Sequence, residues 1–360
     1  MLGTQITKHL NDIAQKDENS YFVYIDGYRY PWVGDIEKEY PERVIACGIS
    51  EANAISIATG LALSGKSVYV FMISAYAVKR ALDQLKFAAY CNANITIITT
   101  LAGFAVPYAG YSHLSLGDVS ILRNTPNLEI YCPSTVPEID VIMQHITNRK
   151  GPAYIGIDNR GSMPPIKKYK YSEKSVIHYG NDKSLCILFT GFVGSFLFHE
   201  FRILQKLLQK GINPAIYSIY MMEPFNSDEI KNLCKKHSHI VTLEFKGKGA
   251  LASSVSEIIA TEKFKTKLLP IYLKDEKYNL MGQCGYVADK YIDLSHLDKK
   301  IEKFLNRKNL FFYQKKCSQR GAMTKTKYKL FGLTLFKTVE NASSITSFLL
   351  GFIKIYRKTI

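Results

Sequence analysis

Two residues of this 360-residue chain combine a suitable type with a suitable setting for proton transfer. Glu51 follows the apolar run Arg43–Cys47 and opens a helical segment, and a carboxylate near the end of a buried strand can act as a general acid or base. The alternative is an acid that only suits the helix dipole, with Ser50 as the N-cap. His113 lies in a glycine-rich loop, where an imidazole can act as an acid–base group or remain a surface residue.

Short apolar runs alternate with helical segments from residue 43 to residue 157, and the alternation restarts at residue 185. Continuously apolar strands separated by helices are typical of βαβ units with a parallel sheet covered on both faces. The sequence therefore predicts an α/β protein with two parallel-sheet domains at 1–165 and 185–307, an irregular linker at 166–184 and a tail at 308–360. The predicted strands are Arg43–Cys47, Ser67–Ile73, Asn94–Thr100, Leu128–Tyr131, Ala153–Ile157, Leu185–Thr190, Pro214–Tyr220, His239–Glu244 and Lys267–Leu273, and the predicted helices cover 51–64, 75–90, 115–124, 135–148, 194–210, 227–236 and 249–262.

The composition is that of an ordinary globular protein, with 47% apolar and 22% charged residues. The seven cysteines are scattered and form no CxxC pair, which argues against a disulfide framework or a zinc knuckle and fits a reducing cytosol. We expect a cytoplasmic protein, since the N-terminus lacks the apolar stretch of a signal peptide and no apolar run is long enough to span a membrane. The net charge of +16 is concentrated in residues 308–360, whose eleven Lys and Arg against the single acid Glu340 give +10 and leave +6 for the body, so nucleic-acid binding is not expected.

The sequence contains no phosphate loop, no GxGxxG after the first strand, no GxSxG elbow and no HExxH. Three other segments are more informative: Arg43–Leu63 reads RVIACGISEANAISIATGLAL, Ile73–Lys86 reads ISAYAVKRALDQLK, and Gly103–Asn127 reads GFAVPYAGYSHLSLGDVSILRNTPN. In order and spacing they resemble the pyrimidine-binding domain of the transketolase family and, more distantly, deoxyxylulose-phosphate synthase. Residues 180–290 resemble the C-terminal domain of transketolase more loosely.

The resemblance implies a thiamine diphosphate site. Glu51 matches the glutamate that hydrogen-bonds to a ring nitrogen of the cofactor's aminopyrimidine and promotes loss of the thiazolium proton. Tyr76 matches the aromatic residue that stacks on the pyrimidine, and Ile73 matches a neighbour that packs there, with core packing as the alternative. His113 matches the histidine that exchanges protons with, or hydrogen-bonds to, substrate oxygens. Arg160 lies near the position of the family's phosphate-reading arginine.

Three departures from the family pattern limit what the resemblance implies. Leu101 and Ala109 stand where the family usually has a histidine and an acid that contact the phosphate and hydroxyls of the substrate, so we expect a substrate other than the standard pentose-phosphate pair. The chain also has no Gly-Asp-Gly motif, which the family uses to hold the cofactor's diphosphate through Mg or Ca. The resemblance therefore implies an N-terminal partner subunit that carries this motif, and a heterotetramer.

The tail contains two apolar stretches, residues 327–337 and Ile345–Tyr356, that are bounded by Lys and Arg. Each is too short to span a bilayer. Basic flanks around Phe- and Leu-rich segments are typical of an interfacial helix on anionic lipid, so we expect a peripheral contact with the inner face of the membrane. The alternatives are a tail packed on the body, or one that binds polyanions nonspecifically.

Together these features predict the C-terminal subunit of a split transketolase, which transfers a two-carbon ketol unit between sugars or sugar phosphates. The basic tail adds the hypothesis that the product is an unusual sugar of a surface glycan. One alternative is the beta subunit of a 2-oxo acid dehydrogenase, which shares the domain order. Another is a non-catalytic scaffold of the same fold, against which the presence of both Glu51 and His113 argues.

Overall fold

The computed structural model describes residues 2–25, 33–157, 170–171, 176–179, 184–273 and 284–306, and five strands between residues 314 and 359. The chain divides into two compact units, Met1–Ile301 and Glu302–Ile360. The first unit contains two largely parallel sheets with their helices, and the second contains an antiparallel sheet. The predicted α/β class is confirmed for the first unit.

The first sheet has seven strands, of which six come from the N-terminal part of the chain. These six pair in parallel in the spatial order β5-β6-β4-β3-β1-β2. The central strands β3 and β4 are buried along almost their whole length, which explains their continuously apolar sequences. The six strands are β1 (Ser20–Tyr24), β2 (Val44–Ala46), β3 (Ser67–Ile73), β4 (Ile95–Thr100), β5 (Glu129–Tyr131) and β6 (Ala153–Gly156).

In the part of the chain that the structure describes, the helices that accompany this sheet are α1 (Leu2–Lys16), α2 (Gly34–Glu39), α3 (Glu51–Leu63), α4 (Ser74–Lys79), α5 (Leu82–Tyr90), α6 (Asp118–Leu122) and α7 (Val136–Asn148). No helix or strand is predicted before residue 43, whereas the structure has α1 and β1 there. Leu2, Ile6, Leu10 and Ile13 recur at helical spacing and are buried in one core cluster with residues of α7. The apolar periodicity of α1 was therefore present in the sequence but was not recognised.

The single helix predicted over 75–90 is wrong, because the chain bends between α4 and α5. The N–H groups of Arg80 and Ala81 both donate to the carbonyl oxygen of Tyr76, at 2.9 and 3.2 Å. The second of these bonds spans five residues instead of four, so α5 starts on a new axis. The bend leaves Arg80 at the end of α4.

The second sheet has the strand order β13-β12-β9-β10-β8-β7 and is parallel from β13 to β10, which confirms the second predicted sheet. Its last two strands at one end, β8 and the edge strand β7, lie in the segment predicted to be an irregular linker, and most of the rest of that segment lies outside the described residues. The strands are β7 (Lys170–Tyr171), β8 (Val176–Tyr179), β9 (Leu185–Thr190), β10 (Ala215–Ser218), β12 (His239–Glu244) and β13 (Lys267–Ile271). The helices that follow β9 in the described residues are α8 (Val193–Ser195), continued by a π-helical turn at Phe196–Glu200, then α9 (Ile203–Gln209), α10 (Ser227–Lys236), α11 (Leu251–Thr261), α12 (Cys284–Ile292) and α13 (Leu297–Leu305).

The strand predicted over 214–220 ends earlier than expected, and a new strand follows it. This strand, β11 (Met221–Glu223), pairs antiparallel with β5 and so completes the first sheet as its seventh strand. Residues from the second half of the chain therefore extend the sheet of the first half. The two sheets belong to one compact unit because the chain crosses back between them.

The tail forms a five-stranded antiparallel sheet, so the predicted interfacial helix is wrong. The physical reason is a period of two, as in Met323–Leu330, which reads MTKTKYKL and is rich in residues that favour strands. Among the described residues, no helix is long and apolar enough to cross a membrane. The strands are β14 (Gln314–Arg320), β15 (Met323–Leu330), β16 (Leu333–Asn341), β17 (Ser344–Leu349) and β18 (Ile353–Thr359).

Two fully buried carboxylates satisfy the first N–H groups of helices. Glu138 accepts from the N–H of Ser134 at 2.5 Å and of Thr135 at 3.1 Å, at the start of α7. Glu244 accepts from the N–H of Leu251 at 2.9 Å and of Ala252 at 2.8 Å, at the start of α11. Burial raises the pKa of Glu138 to about 7 and the pKa of Glu244 to about 7, although the N–H donors act in the opposite direction.

We expect these two groups to make the protein less stable at higher pH. The folded state holds both protons more tightly than the unfolded chain, so the free energy of unfolding should fall between about pH 5 and about pH 8, as the pH rises through the folded pKa. Glu138→Gln should remove one of the two contributions, so the free energy of unfolding should fall less over this pH range, by an amount on the order of 1–3 kcal/mol. Urea titrations at a series of pH values measure this, and a Glu138→Gln curve parallel to that of the wild type would contradict the assignment. Glu39→Gln, at an exposed position of α2, is the control and should leave the slope unchanged.

Candidate active site

The carboxyl ends of three neighbouring parallel segments bring the predicted site residues to one edge of the first sheet. Glu51 follows β2, α4 follows β3, and the loop 101–117 follows β4. Because β2, β1, β3 and β4 are adjacent and parallel, these three connections emerge on the same side. Ligands of open α/β sheets bind at this edge.

Glu51 is the first residue of α3, and its side chain is only 4% exposed. Its Oε1 accepts a hydrogen bond from Nη1 of Arg80 at 2.9 Å. No residue in the described part of the chain donates to its other oxygen, Oε2. Ser50 stands at the N-cap position of α3, as predicted, but its hydroxyl donates to the carbonyl of Cys47 at 2.5 Å and makes no capping bond to the helix.

Tyr76 links the carboxylate side of the site to His113. The guanidinium of Arg80 lies over the Tyr76 ring at 4.0 Å from its centre. The Tyr76 hydroxyl lies 3.1 Å from Nε2 of His113, and the two rings are tilted at 59° with their centres 5.5 Å apart. Ile73 ends β3 and is buried directly before α4. The structure thus connects Glu51, Tyr76 and His113 through Arg80 and the Tyr76 hydroxyl, and it places Ile73 at the same edge of the sheet.

Lys79 fastens the loop that carries His113. Its ammonium donates to the carbonyl oxygens of Tyr111 at 2.6 Å and Leu114 at 3.0 Å, and it lies 4.0 Å from the centre of the Tyr111 ring. Partial burial lowers the pKa of Lys79. A cavity of about 470 Å³ lined by Lys79, Tyr111, Leu114 and Gly247 lies against the same loop.

Several motif residues lie away from this edge. Arg123 donates to the carbonyl of Gly249 at 3.1 Å and to both oxygens of Glu257, at 3.3 and 2.8 Å, and so joins the two halves of the unit. Asn127 donates to the carbonyl of Ala89 at 3.1 Å. Arg160 lies outside the described residues.

Sequence reasoning missed Arg80 and Lys79. Arg80 stands four residues after Tyr76, the spacing at which side chains on one helix meet, so this pairing could have been found. Lys79 donates hydrogen bonds to backbone carbonyls of a loop more than thirty residues later in the sequence, and no pattern in the sequence indicates that contact.

Two family models match the chain. The model described as "Transketolase, pyrimidine binding domain" matches residues 10–160, and the one described as "Transketolase, C-terminal domain" matches residues 186–281. The first range contains Glu51, Tyr76 and His113. Together the two models account for most of the first compact unit.

Curated relatives and solved structures agree with this match. The chain is 25% identical to an apulose-4-phosphate transketolase subunit of Phocaeicola vulgatus, over 74% of this chain and 85% of the relative. It is 29% identical to a putative transketolase C-terminal section of Methanocaldococcus jannaschii (80% and 90% covered), and 26% identical to a 6-deoxy-6-sulfo-D-fructose transketolase subunit of a Clostridium species (78% and 87% covered). A structure described as a split gene transketolase, inactive beta4 tetramer, superimposes with a TM-score of 0.69 at 21% identity, over 83% of this chain and 97% of that one. A transketolase of Campylobacter jejuni superimposes with a TM-score of 0.66 at 17% identity, and the chain spans 46% of it.

The geometry of Lys79 predicts that its amine restrains the His113 loop. Lys79→Met keeps the length of the side chain but removes both hydrogen bonds to carbonyl oxygens. Each such bond stabilises by about 1 kcal/mol, so loss of both should accelerate amide exchange in residues 108–116 roughly thirty-fold. Hydrogen–deuterium exchange read by mass spectrometry measures this. Lys86→Met, an exposed position on α5, is the matched control; equal exchange in both variants would contradict the restraint.

Proposed function

Since this chain belongs to the transketolase family, we propose that it is the C-terminal subunit of a split transketolase, which uses thiamine diphosphate to transfer a two-carbon ketol unit between sugars. The names and lengths of the relatives support the split arrangement, because two of them are called subunits and one a C-terminal section. The absence of Gly-Asp-Gly from the sequence supports a partner that holds the diphosphate and its Mg or Ca ion. The similar split gene transketolase, described as a beta4 tetramer, supports assembly of such subunits, and we keep the heterotetramer as the proposed form.

The pairing of a buried carboxylate with an aromatic ring is the observation that carries this proposal. An aminopyrimidine is flat and rich in nitrogen, and the guanidinium of Arg80 has the same properties. Arg80 already donates to Glu51 and lies over the Tyr76 ring, so the two groups suit a planar donor. The Arg80 side chain is 49% exposed and can leave when the cofactor takes its place.

When bound, thiamine diphosphate supplies a carbon nucleophile that accepts and releases the ketol unit. Glu51 then binds the pyrimidine edge through its carboxyl group and exchanges a proton with a ring nitrogen. Tyr76 and Ile73 seat the pyrimidine by stacking and apolar contact. His113 exchanges protons with hydroxyl and carbonyl oxygens of the sugar, and its Nε2 is oriented by the hydroxyl of Tyr76.

The substrate is proposed to be an unusual sugar instead of the standard pentose-phosphate pair. Leu101 follows β4 at the site edge with a left-handed backbone (φ +57°), and it offers no donor for a phosphate. Ala109 offers no carboxylate for a sugar hydroxyl. The names of the relatives, which include apulose-4-phosphate and sulfofructose transketolase subunits, support variation of the sugar within the family. A sugar destined for a surface glycan fits the basic tail, and Arg160 stays a predicted phosphate contact.

We predict that Glu51→Gln abolishes most of the activity of the assembled enzyme. Glutamine keeps the shape of the side chain but cannot share a proton with the pyrimidine nitrogen, so turnover should fall roughly 10²–10⁴-fold. Exchange of the thiazolium proton for deuterium, followed by NMR in the complex with the diphosphate-binding subunit, reports this step directly. Cofactor affinity should change far less, because the diphosphate contacts belong to the partner.

Two controls make this test decisive. Glu39→Gln changes an exposed carboxylate, so the complex that contains it should exchange the thiazolium proton at the wild-type rate. The isolated chain should bind thiamine diphosphate weakly and have no transferase activity, as measured by calorimetry and turnover. If Glu51→Gln exchanged the thiazolium proton at the wild-type rate, Glu51 would be only an acid that suits the helix dipole. If the isolated chain bound thiamine diphosphate at micromolar concentration and turned over substrate, the split arrangement would be excluded.

We further propose that the tail brings the enzyme to the inner face of the membrane. The antiparallel register places Lys316 opposite Lys327, and Lys327 opposite Lys337, on three adjacent strands. Like charges at directly opposite positions are destabilising, and an anionic surface would neutralise them. Each basic residue near such a surface contributes about 1 kcal/mol of binding.

Loss of the tail charge should therefore release the protein from anionic vesicles. We expect both deletion of residues 308–360 and the full-length variant Lys316→Gln/Lys327→Gln/Lys337→Gln to lose most co-sedimentation with phosphatidylserine vesicles at low salt. Three exposed lysines of the body, Lys263, Lys265 and Lys299, changed to Gln, form the matched control and should still bind. Equal sedimentation of wild-type and tail-altered proteins would refute the membrane proposal.

A further inference from the structure

We infer that Lys246, from the second half of the unit, is a positioning residue for the candidate active site in the first half. The inference rests on the proposed function for its catalytic consequence. Lys246 follows β12 by two residues, and its side chain reaches the base of the loop that carries His113. No motif in the sequence indicated this role.

Lys246 and Asp118 form a buried ion pair. Lys246 is 5% exposed and Asp118 is fully buried, and Nζ of Lys246 lies 2.6 Å from Oδ2 of Asp118. Asp118 opens α6, five residues after His113, so the pair joins the segment after β12 to the segment after β4. A charge-assisted hydrogen bond of this length is among the stronger polar contacts in a protein.

The same carboxylate oxygen holds a cluster of buried hydroxyls. Oδ2 of Asp118 accepts from the hydroxyl of Tyr154 at 3.0 Å and from that of Ser74 at 3.1 Å. The Ser74 hydroxyl is also hydrogen-bonded to Ser115 at 2.6 Å and lies 2.6 Å from the hydroxyl of Tyr154. An ionised acceptor at the centre fixes the direction of these donors, and the ammonium of Lys246 compensates its charge.

Two members of the cluster belong to the segments that carry the site. Ser74 is the first residue of α4, two residues before Tyr76 and six before Arg80. Ser115 stands two residues after His113, and its N–H donates to the carbonyl of Gly103 at 3.0 Å. The bond between Ser74 and Ser115 therefore sets the distance between the stacking ring and the histidine.

The backbone around Lys246 is packed against the same loop. Gly103 has a left-handed backbone (φ +65°), and a Cβ there would lie 2.8 Å from the carbonyl oxygen of Phe245. The N–H of Gly247 donates to the carbonyl of Leu116 at 2.6 Å. Both contacts hold the backbone on either side of Lys246 against the loop, so its ammonium is kept beside the Asp118 carboxylate.

A role in stability alone does not account for this arrangement. A buried ion pair stabilises no better than a well-packed apolar pair of the same volume, because both charges lose their hydration. A carboxylate that receives several donors does fix geometry, and a displacement of about 1 Å in a catalytic site can reduce the rate roughly 10²-fold. We therefore expect the ion pair to act through the positions of Tyr76 and His113.

The test compares Lys246→Met with Lys248→Met, an exposed lysine of the same segment. Because Lys246→Met leaves a buried charge unpaired and can impair folding, the neutral double variant Lys246→Met/Asp118→Asn is included. In the isolated full-length chain, the ¹³Cε1 signal of His113, assigned by its loss in His113→Asn, should shift in Lys246→Met and in the double variant, and stay unchanged in Lys248→Met. This measurement needs no activity, so it separates the inference from the proposed function.

In the complex with the partner subunit, turnover is measured with 3-hydroxypyruvate, which yields the two-carbon ketol unit by losing CO₂. We expect kcat to fall about ten- to hundred-fold in the double variant, with KM changed little and thermal stability close to that of the wild type. A double variant with the wild-type kcat and His113 signal would overturn the inference and leave Lys246 as a structural residue. If the wild-type complex itself were inactive, the proposed function would fail while the His113 signal still decided the positioning role.

Discussion

The parallel pairing of β2, β1, β3 and β4 is the constraint on which the candidate site depends. It sends three connections that are far apart in sequence to one edge of the sheet, and each delivers one chemical group: the Glu51 carboxylate, the Tyr76 ring and the His113 imidazole. The central strands β3 and β4 are buried on both faces, so the core holds their carboxyl ends in place. The positions of the reactive groups are therefore set by the core and not by the loops alone.

Burial at this edge has an electrostatic consequence. A carboxylate as little exposed as Glu51 needs a partner, and in this chain the partner is Arg80. Arg80 stands one helical turn after Tyr76, so the last turn of α4 places its guanidinium over the ring and within reach of the buried carboxylate. A cofactor that takes this place has to replace both the hydrogen bond and the ring contact, which favours a planar ligand with a donor at its edge.

The sequence was sufficient for features that are local or strongly patterned. The limits of β3, β9 and β12 agree with the predicted strands because a buried parallel strand is continuously apolar and ends at a polar turn. The prediction that Glu51 and His113 share a site came from motif spacing, and the structure places both at one edge. What could not be predicted depends on distant contacts, such as the departure of β11 into the first sheet and the ion pair of Lys246. The prediction of a helix in the tail was wrong for another reason, because it rested on the Lys-flanked apolar composition and overlooked the period of two that favours strands.

The contacts between the two sheets also bear on where an enzyme of this kind can be divided into subunits. Separating the halves of this unit would remove β11 from the first sheet, break the bonds from Arg123 to Glu257, and leave Asp118 buried without Lys246. Breaking one buried ion pair alone destabilises a protein by about 3–5 kcal/mol. A division between these halves would therefore be costly, whereas the proposed division leaves them together in one chain and assigns only the diphosphate and its metal to the partner. This chain then keeps the contacts by which its second sheet positions the active-site groups of its first sheet.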